Sequence, residues 1–488
     1  MSNISKSLYC NYVQCKKMIW LNKYKPEEYI ETKNDSVMEN GNEVGDLARR
    51  YFGNYSLVKF NEVLIKMIME TKEYLKQNKK VICEASFKFD NLFASIDILK
   101  CDEDGMSIYE VKSSTEIKDI YVDDASFQAY ILKRLGYKIK SVNIMHLNSF
   151  YELRGDLDLK GLFKIENITD IAMSKEKEIE ENVKEINDIL DSEKEPNLDL
   201  DIYCFKPYDC PYFKYCSRHF KENNVFDIRG MTINKKIDLY KKGIINFSDL
   251  INEKLNDKYI EQIDFKLNDR EPKINKEKIK EFLNTLTDPI YFLDFETFQD
   301  AIPRYEGQKV YQQVPFQYSL HYYNEKRNLK HKEFLSEAGI DPRRGVAENL
   351  IKDIPTNVTV LAYNMSFEKG VIKSLAKLYP DLSEELLKIH DNIKDLMIPF
   401  YNRYYYTKEM EGSYSIKYVL PALFPNTPEL NYHNLELVHN GSEAMDTFKN
   451  LKNYSKEDQK KIRNSLLKYC ELDTYAMVKI YEKLKEIE

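Results

Sequence analysis

The chain has 488 residues, too many for one typical core, and its 43% hydrophobic and 13% aromatic content, with 37 Tyr, excludes a mainly disordered protein. A net charge of −7 argues against a wholly basic nucleic-acid wrapper but leaves a nuclease open, because metal-binding acids subtract from the total. No stretch approaches the roughly 20 apolar residues of a membrane span, and the polar start MSNISKSLYC lacks a signal-peptide core, so a cytoplasmic protein with no membrane partner is expected. In a reducing compartment, grouped members of its eight cysteines are better read as metal or cluster ligands than as disulfides.

In chain order, VICEASFKFD, FASIDILK and MSIYEVKSS read as strands, and ASFQAYILKRLGY as a helix on the spacing of Phe127, Tyr130, Ile131 and Leu135. That is an α/β order. Asp97 lies inside an apolar strand, and Glu110 and Lys112 share one strand face thirteen residues later. Asp, Glu and Lys together can bind a divalent ion and stabilise the charge of a phosphoryl transition state. Glu84 and Gln128 come from adjacent elements. Standing alone, the E-V-K string would be a cross-face salt bridge.

MSKEKEIEENVKEINDILDSEKEP places Ile179, Val183, Ile186 and Leu190 on one stripe, an amphipathic helix ended by Pro196. YCFKPYDCPYFKYC then brings Cys204, Cys210 and Cys216 together, with Cys15 far upstream. Four thiolates suit an iron–sulfur cluster or structural zinc; the five-residue gaps do not match the usual zinc C-x2-4-C knuckle, which favours the cluster. Cys10 competes as a fourth ligand, and Cys83, Cys101 and Cys470 read as core residues. The Lys-rich segment 221–286, with a Gly turn inside LYKKGIINFSDLI, reads as a linker or as a helix-hairpin module touching a phosphate backbone.

After Pro289 the chain becomes strand-rich, and IYFLDFETFQ sets Asp294 and Glu296 in an apolar strand. Residues two apart on a strand project to one side, roughly 6 to 7 Å apart. Two buried carboxylates so placed call for a metal ion between them; a pair at a strand end, solvated or bridged by Arg or Lys, is the other reading of this string alone. VTVLAYNMSFEKGVIKSLA breaks from strand to helix at Asn364 and carries Glu368, and YCELDTYA sets Tyr469 and Asp473 one helical turn apart. Three elements thus offer acids, as two-metal phosphodiester hydrolysis requires. Asp395 in IKDLMIPF is a reserve acid.

D-x-E on a first strand, N-x-x-x-E in a middle helix and Y-x-x-x-D on a last helix resemble the three motifs of the RNase H-like DEDD exonucleases, in their tyrosine-bearing branch. The resemblance implies metal ligation by Asp294, Glu296, Glu368 and Asp473, with Tyr469 orienting the attacking water. The middle motif departs from the family, which has Asp where this chain has Glu368. Asp97, Glu110 and Lys112 resemble the PD-(D/E)XK nuclease core, with Gln128 and Tyr130 as the helix motif of RecB-like members. Many such nucleases place a His on the opening helix, where GNEVGDLARRYF has Gly45. RecB-like nucleases of the CRISPR-associated kind close this domain with one N-terminal and three C-terminal cysteines, which implies a [4Fe-4S] cluster on Cys15, Cys204, Cys210 and Cys216.

Both halves together resemble a bacterial family catalogued as domain of unknown function 2779, including the stretch DFETFQDAIPRYEGQKVYQQVPFQYSLH. The expectation is a RecB-like domain over 1–220, a small helical segment over 221–286 and an RNase H-like domain over 287–488. The expected function is a nuclease on DNA, more exonuclease than endonuclease, with Mg2+ or Mn2+ at both acid sets; RNA stays open. Tyr363, Phe367 and the tyrosines of NRYYYTKEM offer stacking faces for exposed bases, beside a core role. The alternative is a nucleic-acid-binding scaffold with degenerate sites, for which Glu368 and the missing His speak.

Overall fold

The computed structural model describes residues 3–31 and 35–487. The chain is mixed α/β and divides into two compact units, Met1–Phe220 with Asp300–Tyr311, and Lys221–Gln299 with Gln312–Glu488. No helix among the described residues is long and apolar enough to cross a membrane.

In the first unit, β1 (Ile4–Ser5), β2 (Ser56–Leu57), β3 (Val81–Phe89), β4 (Leu92–Asp102), β5 (Gly105–Lys112), β6 (Ile139–Leu147) and β7 (Phe163–Asn167) form one sheet in the order β2-β3-β4-β5-β6-β7, with β1 parallel to β4. The β3-β4-β5 run is antiparallel and β5-β6 parallel. Ser5 caps α1 (Lys6–Gln14) by accepting from the Leu8 amide at 3.2 Å, which makes Lys6 the first helical residue. Tyr9 of α1 stacks on Phe127 of α3 (Asp119–Arg134) at 4.6 Å, and α3 buries Phe127, Ile131 and Leu132 in the sheet's core. Between them in sequence, α2 (Asp35–Arg49) packs Val44 and Ala48 against the sheet's other core. The amphipathic stripe forms α4 (Glu176–Asp191), with Ile179, Ile186 and Leu190 buried and Val183 packed against the same core.

The segment Asp300–Tyr311 lies in sequence between two strands of the second unit, yet it belongs to the first. Ala301, Ile302 and Val310 join Leu147 and Phe163 in the core, the Leu153 amide donates to the Gln308 carbonyl at 2.9 Å, and Tyr311 donates its hydroxyl to the Ser113 carbonyl at 2.6 Å. Ser113 follows Lys112 directly.

The second unit opens with helices that include α5 (Ile233–Lys241) and α6 (Phe247–Leu250), joined through Gly243, whose φ of +76° is a conformation glycine adopts without strain. Phe265, Ile279, Phe282 and Leu283 from the 221–286 segment are buried in one core with Tyr405, Met410 and Leu472. Its short β8 (Lys273–Ile274) pairs with a later strand at Tyr405–Tyr406. The main sheet uses β9 (Ile290–Gln299), β10 (Gln313–Tyr323), β11 (Leu329–Leu335), β12 (Thr359–Ala362) and β13 (Ile393–Asp395), ordered β11-β10-β9-β12-β13. β10 is antiparallel to β9 and β11, whereas β12 is parallel to β9 and β13. On β9, Tyr291, Leu293 and Phe295 face the core shared with α7 (Ser366–Leu378), while Ile290 and Phe292 face the core shared with the last helix. Period-two alternation then carries Asp294 and Glu296 onto the second face. α8 (Gly441–Asn450) and α9 (Lys456–Ile487) complete that side.

Candidate functional site

Three elements deliver acids to one place in the second unit. Asp294 and Glu296 come from β9. Glu368 sits in the first turn of α7, which starts after Asn364 takes a φ of +73°. The Asp395 carboxylate fixes this break by accepting from the amides of Asn364 at 3.0 Å, Met365 at 3.2 Å and Met397 at 2.9 Å. The reserve acid is therefore a backbone clamp. α9 brings Tyr469 and Asp473, and it is tethered to β10 by Gln317, whose amide donates to the Leu466 carbonyl at 2.8 Å.

Their charges act on one another. Burial, with Asp473, Glu296 and Glu368 as negative neighbours, holds the Asp294 carboxyl well above its ordinary value. Burial and Asp473 raise Glu296 as well, opposed by Lys417. Glu368 is pushed up to about 8, chiefly by burial, and its Oε2 is buried with no hydrogen-bond partner among the described residues. Asp473 is pushed up to about 6 by burial, against hydrogen bonds from Tyr432 and Tyr469 and the charge of Lys417. Ligating atoms of Asp294, Glu296 and Cys470 lie within 4.8 Å of one another. A buried set of oxygen donors that resists its own ionisation, with one oxygen unbonded, fits hard divalent ions.

Sequence reasoning missed two members of this site. Tyr432 donates its hydroxyl to Asp473 Oδ1 at 2.6 Å, and its ring lies 6.0 Å from that of Tyr469. Cys470, read as a core residue, is fully buried but stands with its sulfur 3.8 Å from Asp294 Oδ2. Tyr432, which bonds Asp473, also lines a cavity of about 1100 Å³, with Lys417, His439 and Asn440 among its other walls. Of the tyrosines offered for stacking, Tyr405 and Tyr406 are core residues and Tyr363 donates to the Tyr414 carbonyl at 2.7 Å.

In the first unit, Asp97 of β4 stands beside Glu110 and Lys112 of β5. Lys112 Nζ donates to Glu110 Oε1 at 2.6 Å and to Asp124 Oδ2 at 2.9 Å, and Gln128 donates to Glu110 Oε2 at 2.6 Å and to Asp124 Oδ1 at 2.9 Å. Asp97 Oδ2 accepts from the Val111 amide at 2.7 Å. Asp124 and Lys6 are members the sequence did not single out. The Lys6 ammonium reaches from the start of α1 to Asp97 Oδ1 at 3.3 Å and Glu110 Oε1 at 3.2 Å.

Burial would raise the Glu110 carboxyl, but Lys112 and Lys6 outweigh it and hold Glu110 well below the usual carboxylate range. Burial and the charge of Glu110 push Asp97 up to about 7. Tyr130 does not join the set, contrary to the expectation that it acts with Gln128. Two residues along a helix is about 200° of rotation, and its hydroxyl is directed at Glu180, 3.4 Å away. Glu84, at a φ of +56°, pairs with Arg49 at 2.9 Å and lines a cavity of about 430 Å³ with Gly45, Asp97 and Lys112. A Cβ added at Gly45 would meet nothing within 4 Å.

The cysteine set also gathers. Cys15 caps the end of α1, and Gln14 beside it donates to the carbonyls of Tyr203 at 3.0 Å and Tyr208 at 2.7 Å. The Cys210 amide donates to the Cys204 carbonyl at 2.9 Å. Burial, together with the neighbouring thiols, Cys15 and Cys216 included, pushes the Cys204 and Cys210 thiols up to about 12. Mutually close thiols that keep their protons when alone fit a centre whose binding drives them off. Cys10 is not among them; its charged neighbours are Asp124, Lys112 and Glu110. Cys83 and Cys101 pack in the hydrophobic core.

A search of curated proteins finds no match. Residues 291–415 match a family model described as Domain of unknown function (DUF2779), which supports that family for the stretch carrying Asp294, Glu296 and Glu368.

Proposed function

We propose that the protein is a metal-dependent nuclease that hydrolyses phosphodiester bonds of DNA, with RNA as the other polynucleotide to test. The observation that carries this reading is the convergence of Asp294, Glu296, Glu368 and Asp473 from three elements, buried and mutually repelling. The strand order β11-β10-β9-β12-β13, with Asp294 and Glu296 on the central strand, supports an RNase H-like fold. Clustering of Asp97, Glu110, Lys112 and Gln128 supports a PD-(D/E)XK core in the first unit.

Asp294, Glu296, Glu368 and Asp473 would hold one set of Mg2+ or Mn2+ ions, and Asp97 and Glu110 another. Bound there, such ions activate water and neutralise the leaving oxygen. Tyr469, hydrogen-bonded to Asp473, orients the incoming water. Tyr432 holds Asp473 from the other side, and the exposed Lys417 offers its charge to a phosphate entering the cavity. Cys15, Cys204, Cys210 and Cys216 would hold a [4Fe-4S] cluster, with structural Zn2+ as the alternative, and pin α1 to the end of its unit.

A second reading applies to the first unit alone. Lys6 bridges Asp97 and Glu110, which favours a site that binds nucleic acid without cutting it. Anaerobically purified protein incubated with end-labelled single- and double-stranded DNA and RNA, in Mn2+ or in EDTA, tests both. The nuclease reading expects Mn2+-dependent digestion of at least one substrate; binding of all of them without cleavage in either condition sinks it.

A further inference from the structure

A second cluster of ligating side chains in the second unit uses none of these acids. His321 and His331 are direct partners across β10 and β11, their ring centroids 4.5 Å apart. Glu471 of α9 brings Oε1 to 3.8 Å from His331 Nδ1, and the ligating atoms of all three lie within 4.8 Å of one another. His331 and Glu471 are reached by solvent, while His321 is buried.

Hydroxyls hold one nitrogen of each ring. His321 Nδ1 lies 2.8 Å from the Thr474 hydroxyl and His331 Nε2 lies 2.9 Å from the Ser319 hydroxyl, and the two hydroxyls bond each other at 2.7 Å. This leaves His321 Nε2 and His331 Nδ1 as the ring nitrogens turned to a ligand, and the latter faces Glu471 Oε1. Burial keeps both imidazoles neutral.

Two metal bonds of about 2.0–2.2 Å span up to about 4.3 Å, so the 3.8 Å gap admits an ion between nitrogen and oxygen. Histidines held by hydroxyls through their other ring nitrogen have the outer-shell support that metal ligands usually show.

We propose that His321, His331 and Glu471 form a separate site for a transition-metal ion of the Zn2+ class. Two imidazoles select Zn2+, Co2+ or Ni2+ over Mg2+. The ion would tie α9, which carries Tyr469 and Asp473, to the outer strands of its sheet.

Titrating chelator-stripped, full-length protein with Co2+ under excess Mg2+ tests this without reference to cleavage. The wild type should take up one more Co2+ than His331→Ala, with ligand-field bands and no thiolate charge transfer, and Glu471→Gln should weaken that ion about tenfold or more. Zn2+ under the same Mg2+ excess should raise the melting temperature of the wild type more than that of Glu471→Gln, a variant of unchanged shape at a solvent-exposed position. Equal Co2+ stoichiometry and affinity in the wild type and Glu471→Gln would overturn the proposal, whether or not the protein proves to be a nuclease.

Discussion

The Lys6 ammonium stands 3.2 Å from Glu110 Oε1 and, on its other side, 3.3 Å from Asp97 Oδ1. A cation already bridges the two acids expected to bind metal in the first unit. Lys6→Met should therefore raise Mn2+ affinity at this site about tenfold or more, since the ion no longer competes with a built-in charge. It should also destabilise the metal-free protein, which is left with two crowded carboxylates. Calorimetric Mn2+ titration of Lys6→Met and Lys6→Met/Glu110→Gln measures the first effect, and unchanged affinity in Lys6→Met refutes it.

The raised carboxyls of the second unit set a pH dependence. Unfolded carboxyls ionise near pH 4. Asp473 and Glu368 hold their protons to about 6 and about 8 in the folded protein. Over that window the folded state binds more protons than the unfolded one, so stability is full below about pH 4 and is lost as pH rises through 6 and 8. The melting temperature of metal-stripped protein should fall across this range. Mn2+ should restore it most at the alkaline end, and Glu368→Gln should flatten the slope.

Tyr432 holds Asp473 through one hydrogen bond of 2.6 Å. Tyr432→Phe removes that bond and little else. Metal affinity at the four-acid site should drop about tenfold, within the range seen for outer-shell partners. Activity should fall in step and be partly recovered at higher Mn2+; an undiminished affinity would show that Asp473 is oriented by Tyr469 alone.

Anaerobic protein should carry the broad visible absorbance of an iron–sulfur centre, and Cys210→Ser should abolish it. Because burial holds these thiols protonated when unligated, loading the centre should release protons into weakly buffered solution. A colourless protein that contains stoichiometric zinc would replace the cluster with the zinc alternative.

Much of the four-acid site was legible because it follows from local periodicity. Strand alternation put Asp294 and Glu296 on one face, the break at Asn364 started the helix of Glu368, and a four-residue step paired Tyr469 with Asp473. Long-range placement was not legible. Lys6 is one charge in a polar N-terminus, and nothing local says that α1 points it at β4 and β5. Tyr432 sits in a short 3-10 turn with no period to read. Tyr130 failed because helical rotation separates it from Gln128. Pairing of His321 with His331 depends on the register of β10 and β11, which is set by the packed sheet and not by either strand alone. The excursion of Asp300–Tyr311 into the first unit is a tertiary fact of the same kind.

Whether the converging acids make a working phosphodiesterase is read most directly from Mn2+-dependent digestion of end-labelled DNA by the wild type, Asp294→Asn, Glu110→Gln and the double variant. Loss of a ligand should cost more than the tenfold to hundredfold of an outer-shell partner, so Asp294→Asn added to Glu110→Gln should lower the remaining rate by at least about a hundredfold. The double variant should be inactive, and Glu110→Gln should retain the activity of the second unit. Equal digestion by the double variant and Glu110→Gln, or binding without cleavage by the wild type in every metal, would show that the four acids do not cut.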